Sequence, residues 1–275
     1  MSWRRIFLTM ADTKLPLRGV KAVILAGGRG SRLSEETDTK PKPMVEIGGR
    51  PILWHIMKIY AQYGIEDFII CLGYKGARIK EYFFHYNLHC SDLTIDLRSG
   101  MTIHQSVAEN WRVTLVETGL DTATGGRLAR IRRYLGEDAL FCMTYGDAVA
   151  DIDIGAAIAF HKSHGRLATV TAVRPLARFG ALQMTGDLVD RFEEKPAEEA
   201  GLISGGFFIL SPAALDQIDN DMTLWEREPM ERLAAQGQLM AYRHRGFWQP
   251  MDTLRDRLLL DQLAASGTAP WMVWS

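Results

Sequence analysis

The chain has 275 residues, of which 47% are hydrophobic and 24% charged, with a formal net charge of −1 at pH 7. A charge this close to zero gives no electrostatic reason to expect nucleic acid or an anionic membrane as partner, and no apolar run approaches the roughly 20 residues that span a bilayer. The length suffices for a substantial core, in one large α/β domain or in two small ones.

Residues 1–20 read as an N-terminal extension. Trp3-Arg4-Arg5-Ile6-Phe7-Leu8-Thr9-Met10 sets basic residues before an apolar patch shorter than the core of a signal peptide, and Met10 offers an alternative start. The domain proper is expected over 21–275. It opens on Lys21-Ala22-Val23-Ile24-Leu25, a short apolar run of the kind that forms a buried parallel strand. That strand runs straight into Ala26-Gly27-Gly28-Arg29-Gly30-Ser31-Arg32-Leu33. Glycines there let the backbone take positive φ and lay its amides against a ligand. Arg29 and Arg32 can fork onto phosphate oxygens, and Lys42 adds a point charge. No lysine follows the glycines as a P-loop requires, and Leu33 stands where the dinucleotide fingerprint needs a small residue. In Lys40-Pro41-Lys42-Pro43-Met44 the two prolines predict a stiff extended segment around Lys42. The combination describes a seat for a polyphosphate; a side-chain-poor turn is the alternative for the loop alone.

Pro51 is placed as the first residue of a helix over 52–63, closed by Gly64, with Leu53, Ile56, Met57 and Tyr60 on one face. Strands are expected over 67–73, 113–116, 139–143 and 168–173, and a hairpin over 182–184 and 188–192 around a glycine turn. Alternating strands and helices predict an α/β fold: a single Rossmann-like domain with a doubly wound, mainly parallel sheet, helices on both faces, and ligands at the strands' carboxyl ends.

Cys71 and Cys142 sit in apolar runs where a thiol acts as a small hydrophobe, so no disulfide and a reducing, cytoplasmic setting are expected. His161-x-x-His164 before Gly165 reads as a helix end rather than a ligand pair. Trp225, Trp248 and Trp271 read as packing residues. Asp147 emerges from an apolar strand after Tyr145-Gly146, and Asp252 stands at the mouth of a helix beginning near Thr253. By residue preference alone, Asp252 is an N-cap and Asp147 a turn residue, while Asp151 and Asp153 are a solvated turn and a cap. Glu193-Glu194-Lys195-Pro196 by itself reads as surface charge.

Ordered motifs say more. Lys21 to Leu33 with Pro41-Lys42-Pro43, then Met44 to Met57, Tyr145-Gly146-Asp147, Arg178-Phe179-Gly180-Ala181-Leu182, Glu194-Lys195-Pro196, Gly205-Gly206-Phe207-Phe208 and Phe247-Trp248-Gln249-Pro250-Met251-Asp252-Thr253 resemble the signature of sugar-phosphate nucleotidylyltransferases. The resemblance covers about Lys21 to Trp271. It implies a nucleotidyltransferase/glycosyltransferase-A-like fold and transfer of a cytidylyl group from CTP to α-D-glucose 1-phosphate. UTP or dTTP in place of CTP, or a non-catalytic nucleotide-sensing relative, are the alternatives. It further implies Mg²⁺ held by Asp147 and Asp252, and catalytic roles for Arg32, Lys42 and Lys195. Nucleotide contacts are implied for Leu25, Ala26, Gly27, Gly28, Arg29, Gly30, Ser31, Arg32, Lys42, Thr124, Gly125 and Gly126. Sugar-phosphate contacts are implied for Tyr145, Gly180, Glu194, Lys195, Gly205 and Gly206. A homo-oligomer, a hexamer, is implied as well. Two positions depart from the pattern: Ser204, where relatives usually carry Asn, and Ala148, where Gly is common.

Overall fold

The computed structural model describes residues 17, 19–30, 33–174, 181–185, 188–193 and 201–274. Most of the N-terminal extension lies outside them, as do Ser31, Arg32, Gly180, Glu194 and Lys195.

Seven strands make the central sheet: β1 Lys21–Leu25, β2 Asp67–Leu72, β3 Arg112–Glu117, β4 Phe141–Tyr145, β5 Ala168–Val173, β6 Ile203–Leu210 and β7 Leu239–Arg243. Their order is β7-β5-β6-β4-β1-β2-β3. β1 runs parallel to β2 and β4, β2 to β3, and β5 to β7. β6 alone runs against both its neighbours, β4 and β5. The sheet is therefore mainly parallel, as expected, with one reversed strand. Neither β6 nor β7 is among the expected strands. β6 is broken by Gly205-Gly206, where its register against β5 shifts and Gly206 takes φ 78°, so its apolar pattern is interrupted.

The main helices are α1 Ile52–Ala61, α2 Gly76–Phe84, α3 Thr124–Leu135, α4 Ile154–His164, α5 Glu228–Ala235 and α6 Leu254–Ala265. Side chains alternate along β1. Ala22 and Ile24 pack with Ile56 and Tyr60 of α1 and Ile158 of α4, whereas Val23 and Leu25 pack with Leu128 and Ile131 of α3. Both faces of the sheet are thus covered, which is why β1 reads as an unbroken apolar run. α1 buries Ile52, Leu53, His55, Ile56, Met57, Ile59 and Tyr60, well beyond a single face. Pro51 precedes this helix rather than opening it, because it pairs with Glu46 in a short antiparallel bridge.

Within this core His55 is neutral. Its Nε2 donates to the Ile47 carbonyl at 2.8 Å while Nδ1 accepts from Trp271 Nε1 at 3.3 Å, and burial pushes its pKa down to about 4. His161 and His164 both contact the Thr169 hydroxyl, at 2.9 and 2.8 Å, and Gly165 closes their helix in the left-handed conformation. Trp225 and Trp271 are fully buried, and all three cysteines are free and buried. The hairpin expected around Gly186 forms from Ala181–Thr185 and Leu188–Glu193. A second hairpin, Ser91–Asp96 with Gly100–Ser106, carries exposed Ile95, Leu97, Met101 and Ile103. Among the described residues no helix is long and apolar enough to cross a membrane.

Candidate active site

A cleft of about 390 Å³ opens at the carboxyl ends of β1 and β4, lined among others by Gly28, Lys42, Thr124, Tyr145, Asp147 and Asp252. The loop after β1 forms one wall. Ala26 N–H still bonds to the Cys71 carbonyl at 3.0 Å, and the chain then leaves the sheet. Gly27 is required by what lies beneath it: a Cβ there would sit 2.2 Å from a guanidinium nitrogen of Arg127. Gly28 meets nothing within 4 Å, which leaves its backbone open to a ligand. Gly30 holds φ +66° with Lys42 Cβ 3.2 Å from where its own would stand.

Arg127, on α3, is 5% exposed. Its guanidinium donates to the carbonyls of Leu72, Gly119, Gly27 and Leu120 and to the Thr118 hydroxyl, at 2.7–3.3 Å. None of these acceptors is charged. Burial draws its pKa down from the usual arginine value, yet arginine stays protonated in proteins. A fixed positive charge therefore lies directly under the glycine loop.

Lys42 is not on an extended segment. Pro41 is extended, but Lys42–Met44 forms one 3₁₀ turn, with Met44 N–H bonded to the Pro41 carbonyl at 2.8 Å and Val45 N–H to the Lys42 carbonyl at 3.0 Å. Proline's fixed φ suits a tight turn as well as an extended chain, and Pro43 falls where its missing N–H is not needed. Pro43 also packs on Gly146, where a Cβ would come within 2.8 Å of its ring. The turn aims Lys42 Nζ at Asp147 Oδ2 and Asp252 Oδ1, 2.8 Å from each.

A small ladder brings these two aspartates together. Ala148–Ala150 pairs antiparallel with Trp248–Pro250, Ala148 opposite Pro250. The next step places Met251 N–H 2.8 Å from the Asp147 carbonyl, so Asp252 arrives beside Asp147. The departure at Ala148 thus falls on a buried ladder position. Asp252 does not cap α6. Thr253 does, accepting from Asp256 N–H, while the Asp256 carboxylate accepts from Thr253 N–H, a complete capping box. Burial opposes charge on Lys42, but attraction and hydrogen bonds from Asp147 and Asp252 outweigh it and hold its pKa above the usual lysine value. Two carboxylates converging on one point at a cleft mouth suit a hard divalent cation. Among the described residues no third His, Cys, Asp or Glu joins them, so such a cation would complete its shell with phosphate and water.

Across the cleft, Glu226 accepts from the hydroxyls of Tyr145 and Thr124, the latter at 2.7 Å. Burial, with the Glu226 carboxylate beside it, pushes the Tyr145 pKa up. Gly206 lies under the Tyr145 ring, a Cβ there being 2.8 Å away, and Trp248 Nε1 donates to the Gly205 carbonyl at 2.8 Å. Ser204 Oγ accepts from Gly206 N–H at 3.4 Å.

The structure does not bring every expected residue to the cleft. Gly125 and Gly126 are buried, their N–H groups directed to the Thr223 carbonyl and their Cα atoms pressed against the loop at Asp221 and Thr223. Arg29 pairs with Asp121 at 2.8 Å on the exposed rim. Asp153 caps α4 through Ala156 N–H, but Asp151 is not a solvated turn; it lies 3.0 Å from His244 with Gly246 packed over it. Arg127 and Glu226 were not among the expected site residues. Arg127 directly follows Thr124-Gly125-Gly126, a local signal; Glu226 has none, since it meets Thr124 only through the tertiary fold. A larger groove of about 550 Å³, walled by Phe83, Tyr86 and Trp111, holds none of the motif residues.

With this geometry stand the comparisons with known proteins. The nucleotidyl transferase family pattern matches residues 21–253. A glucose-1-phosphate cytidylyltransferase of Salmonella typhimurium is 58% identical over 256 residues, covering 93% of this chain and all of that protein. A mannose-1-phosphate guanyltransferase of Candida albicans is 30% identical, over 87% of this chain and 63% of its own length. Among solved structures, HddC from Yersinia pseudotuberculosis superposes with a TM-score of 0.65 at 23% identity, over 88% of this chain and 98% of that one, a likeness of fold. Fold, cleft and a match along nearly its whole length agree: the chain belongs to the nucleotidyl transferase family.

Proposed function

We propose that the protein transfers the cytidylyl group of CTP to α-D-glucose 1-phosphate, giving CDP-glucose and pyrophosphate. The observation that carries this reading is the 58% identity, over 93% of the chain, to a glucose-1-phosphate cytidylyltransferase. The Lys42, Asp147 and Asp252 cluster at the cleft mouth supports it.

A phosphate oxygen of glucose 1-phosphate attacks the α-phosphorus of CTP in line; the new P–O bond forms as the bond to the β-phosphate breaks. The nucleophile is already an anion, so no general base is needed. The difficulty is to bring two polyanions together and to stabilise charge on the departing pyrophosphate. The Gly28 backbone seats the triphosphate over the Arg127 charge, and Arg32 grips the leaving group. Lys42 reaches the transferring phosphoryl group. Lys195, Glu194 and Gly180, with Tyr145, Gly205 and Gly206, receive the sugar phosphate. A divalent ion, Mg²⁺, held by Asp147 and Asp252, would supply Lewis-acid neutralisation of phosphate charge.

The protein acts as a homo-oligomer, a hexamer, in the cytoplasm. Exposed apolar side chains on the Ser91–Asp96 and Gly100–Ser106 hairpin favour contact with a second copy, and three buried free thiols suit a reducing compartment.

Phosphorus NMR of the purified protein with CTP, glucose 1-phosphate and Mg²⁺ tests the reading. A nucleoside diphosphate-sugar and free pyrophosphate should appear together and stop appearing with chelator. Release of inorganic phosphate, or no reaction at all, would contradict it.

A further inference from the structure

We propose that Lys42 is a built-in stand-in cation. Before nucleotide binds, its ammonium holds Asp147 and Asp252 together and keeps a divalent metal off them; it gives up that place when a triphosphate offers it other partners. The inference rests on reading Asp147 and Asp252 as metal ligands, as above.

Lys42 Nζ lies 2.8 Å from an oxygen of each carboxylate, and its side chain is only 11% exposed. Its backbone is fixed by the 3₁₀ turn, with Pro43 packed on Gly146. The ammonium is therefore largely shielded from bulk water, in a cleft lined by Lys42 together with Asp147 and Asp252. Two carboxylates whose oxygens each lie 2.8 Å from one point would repel each other with nothing between them. The ammonium removes that repulsion, so the pair stands preformed with the ladder and the capping box around it.

A divalent ion entering the free protein would have to share or take those oxygens from the ammonium, like charge against like. A charged partner lost from a partly buried site is costly. A triphosphate changes the balance because its oxygens can receive the ammonium while they complete the metal's shell. Nucleotide and metal then load together, and each strengthens the other's binding, as thermodynamic linkage requires. A purely structural ion pair makes the opposite forecast: Lys42 would stay on both carboxylates whatever binds.

The test is Mn²⁺ binding to the full-length protein without nucleotide, followed by electron paramagnetic resonance. Wild type should bind weakly. Lys42→Met, similar in length but uncharged, should bind at least tenfold more tightly, and Lys42→Arg should stay as weak as wild type. Adding Asp147→Asn to Lys42→Met should abolish the gain. Lys42→Met should also melt below wild type and recover when Mn²⁺ is added. No gain in Lys42→Met would overturn the stand-in role. Should Lys42→Met fail to fold, wild-type crystals soaked in Mn²⁺ decide. Anomalous density between the carboxylates only after CTP is added supports the role, and density in nucleotide-free crystals with Lys42 unmoved overturns it. A separate arm guards the underlying assignment. If Asp147→Asn and Asp252→Asn bind Mn²⁺ with CTP as well as wild type does, the metal-ligand reading itself fails and takes the inference with it.

Discussion

Thr253 and Asp256 cap one another across the first turn of α6, each side chain accepting from the other's backbone N–H, at 3.2 and 2.9 Å. The pair fills the role that residue preference assigns to Asp252. Asp252 is left to turn toward Lys42 and Asp147. The helix cap and the Asp252 carboxylate are therefore separable by mutation. Thr253→Ala should cost about 1 kcal/mol of stability and leave turnover nearly intact. Asp252→Asn should lose most activity while the melting temperature moves by only a few degrees, since asparagine can still accept from Lys42. Calorimetry and steady-state rates on both variants check this; an active Asp252→Asn protein would show that the carboxylate is not a ligand.

Arg127 gives a stability prediction with a functional edge. Its five contacts tie β2, the loop after β3 and the glycine loop to α3. Arg127→Met strands several buried carbonyls, at roughly 1–3 kcal/mol for an unsatisfied group, so a loss of about 3 kcal/mol or more in urea unfolding is expected. The Michaelis constant for CTP should rise with it because the charge below Gly27 is gone. Normal stability would mean that water replaces the guanidinium at no cost.

Much of this architecture was legible in the sequence, for a local reason. β1, β2, the strand of Ala168–Val173 and the paired strands Ala181–Thr185 and Leu188–Glu193 announce themselves by local apolar and turn-residue patterns, which need no distant partner. β6 was hidden because Gly205-Gly206 splits its pattern at a bulge. The glycine loop and Lys42 were visible as residue types. That Asp147 and Asp252 share one ammonium was not, since it depends on the register of two three-residue strands about a hundred residues apart. Glu226 was invisible for the same reason: its partners Tyr145 and Thr124 come from two other elements.

Acid should weaken the fold over a defined window. His55 has a folded pKa of about 4 against 6.5 for the unfolded chain, so between these values the unfolded state binds more protons. Stability contributed by neutral His55 is present above about pH 6.5 and is lost as pH falls toward 4. Full loss is worth about 3 kcal/mol. His161, also lowered to about 4 by burial and by His164, acts in the same direction. Urea unfolding at a series of pH values should show stability rising with pH through the window. A flat profile, or an NMR titration of His55 near 6.5, would contradict the neutral, buried assignment.

The exposed hairpin makes a prediction about assembly. Ile95 and Met101 face each other across its ladder, and they are 63% and 50% exposed. If this surface is where copies meet, Ile95→Lys with Met101→Lys should shift the light-scattering mass to a smaller species without changing the circular dichroism spectrum. An unchanged mass would move the interface elsewhere.

The central claim is cytidylyl transfer through the Lys42, Asp147 and Asp252 site. Pyrophosphate release measured with CTP, UTP, dTTP and GTP, each against glucose 1-phosphate and mannose 1-phosphate, tests it most directly, with Asp147→Asn run beside wild type. The expected result is kcat/KM highest for CTP with glucose 1-phosphate, dependence on Mg²⁺, and loss of most turnover in Asp147→Asn. Preference for another nucleotide, or an Asp147→Asn protein as active as wild type, would contradict it.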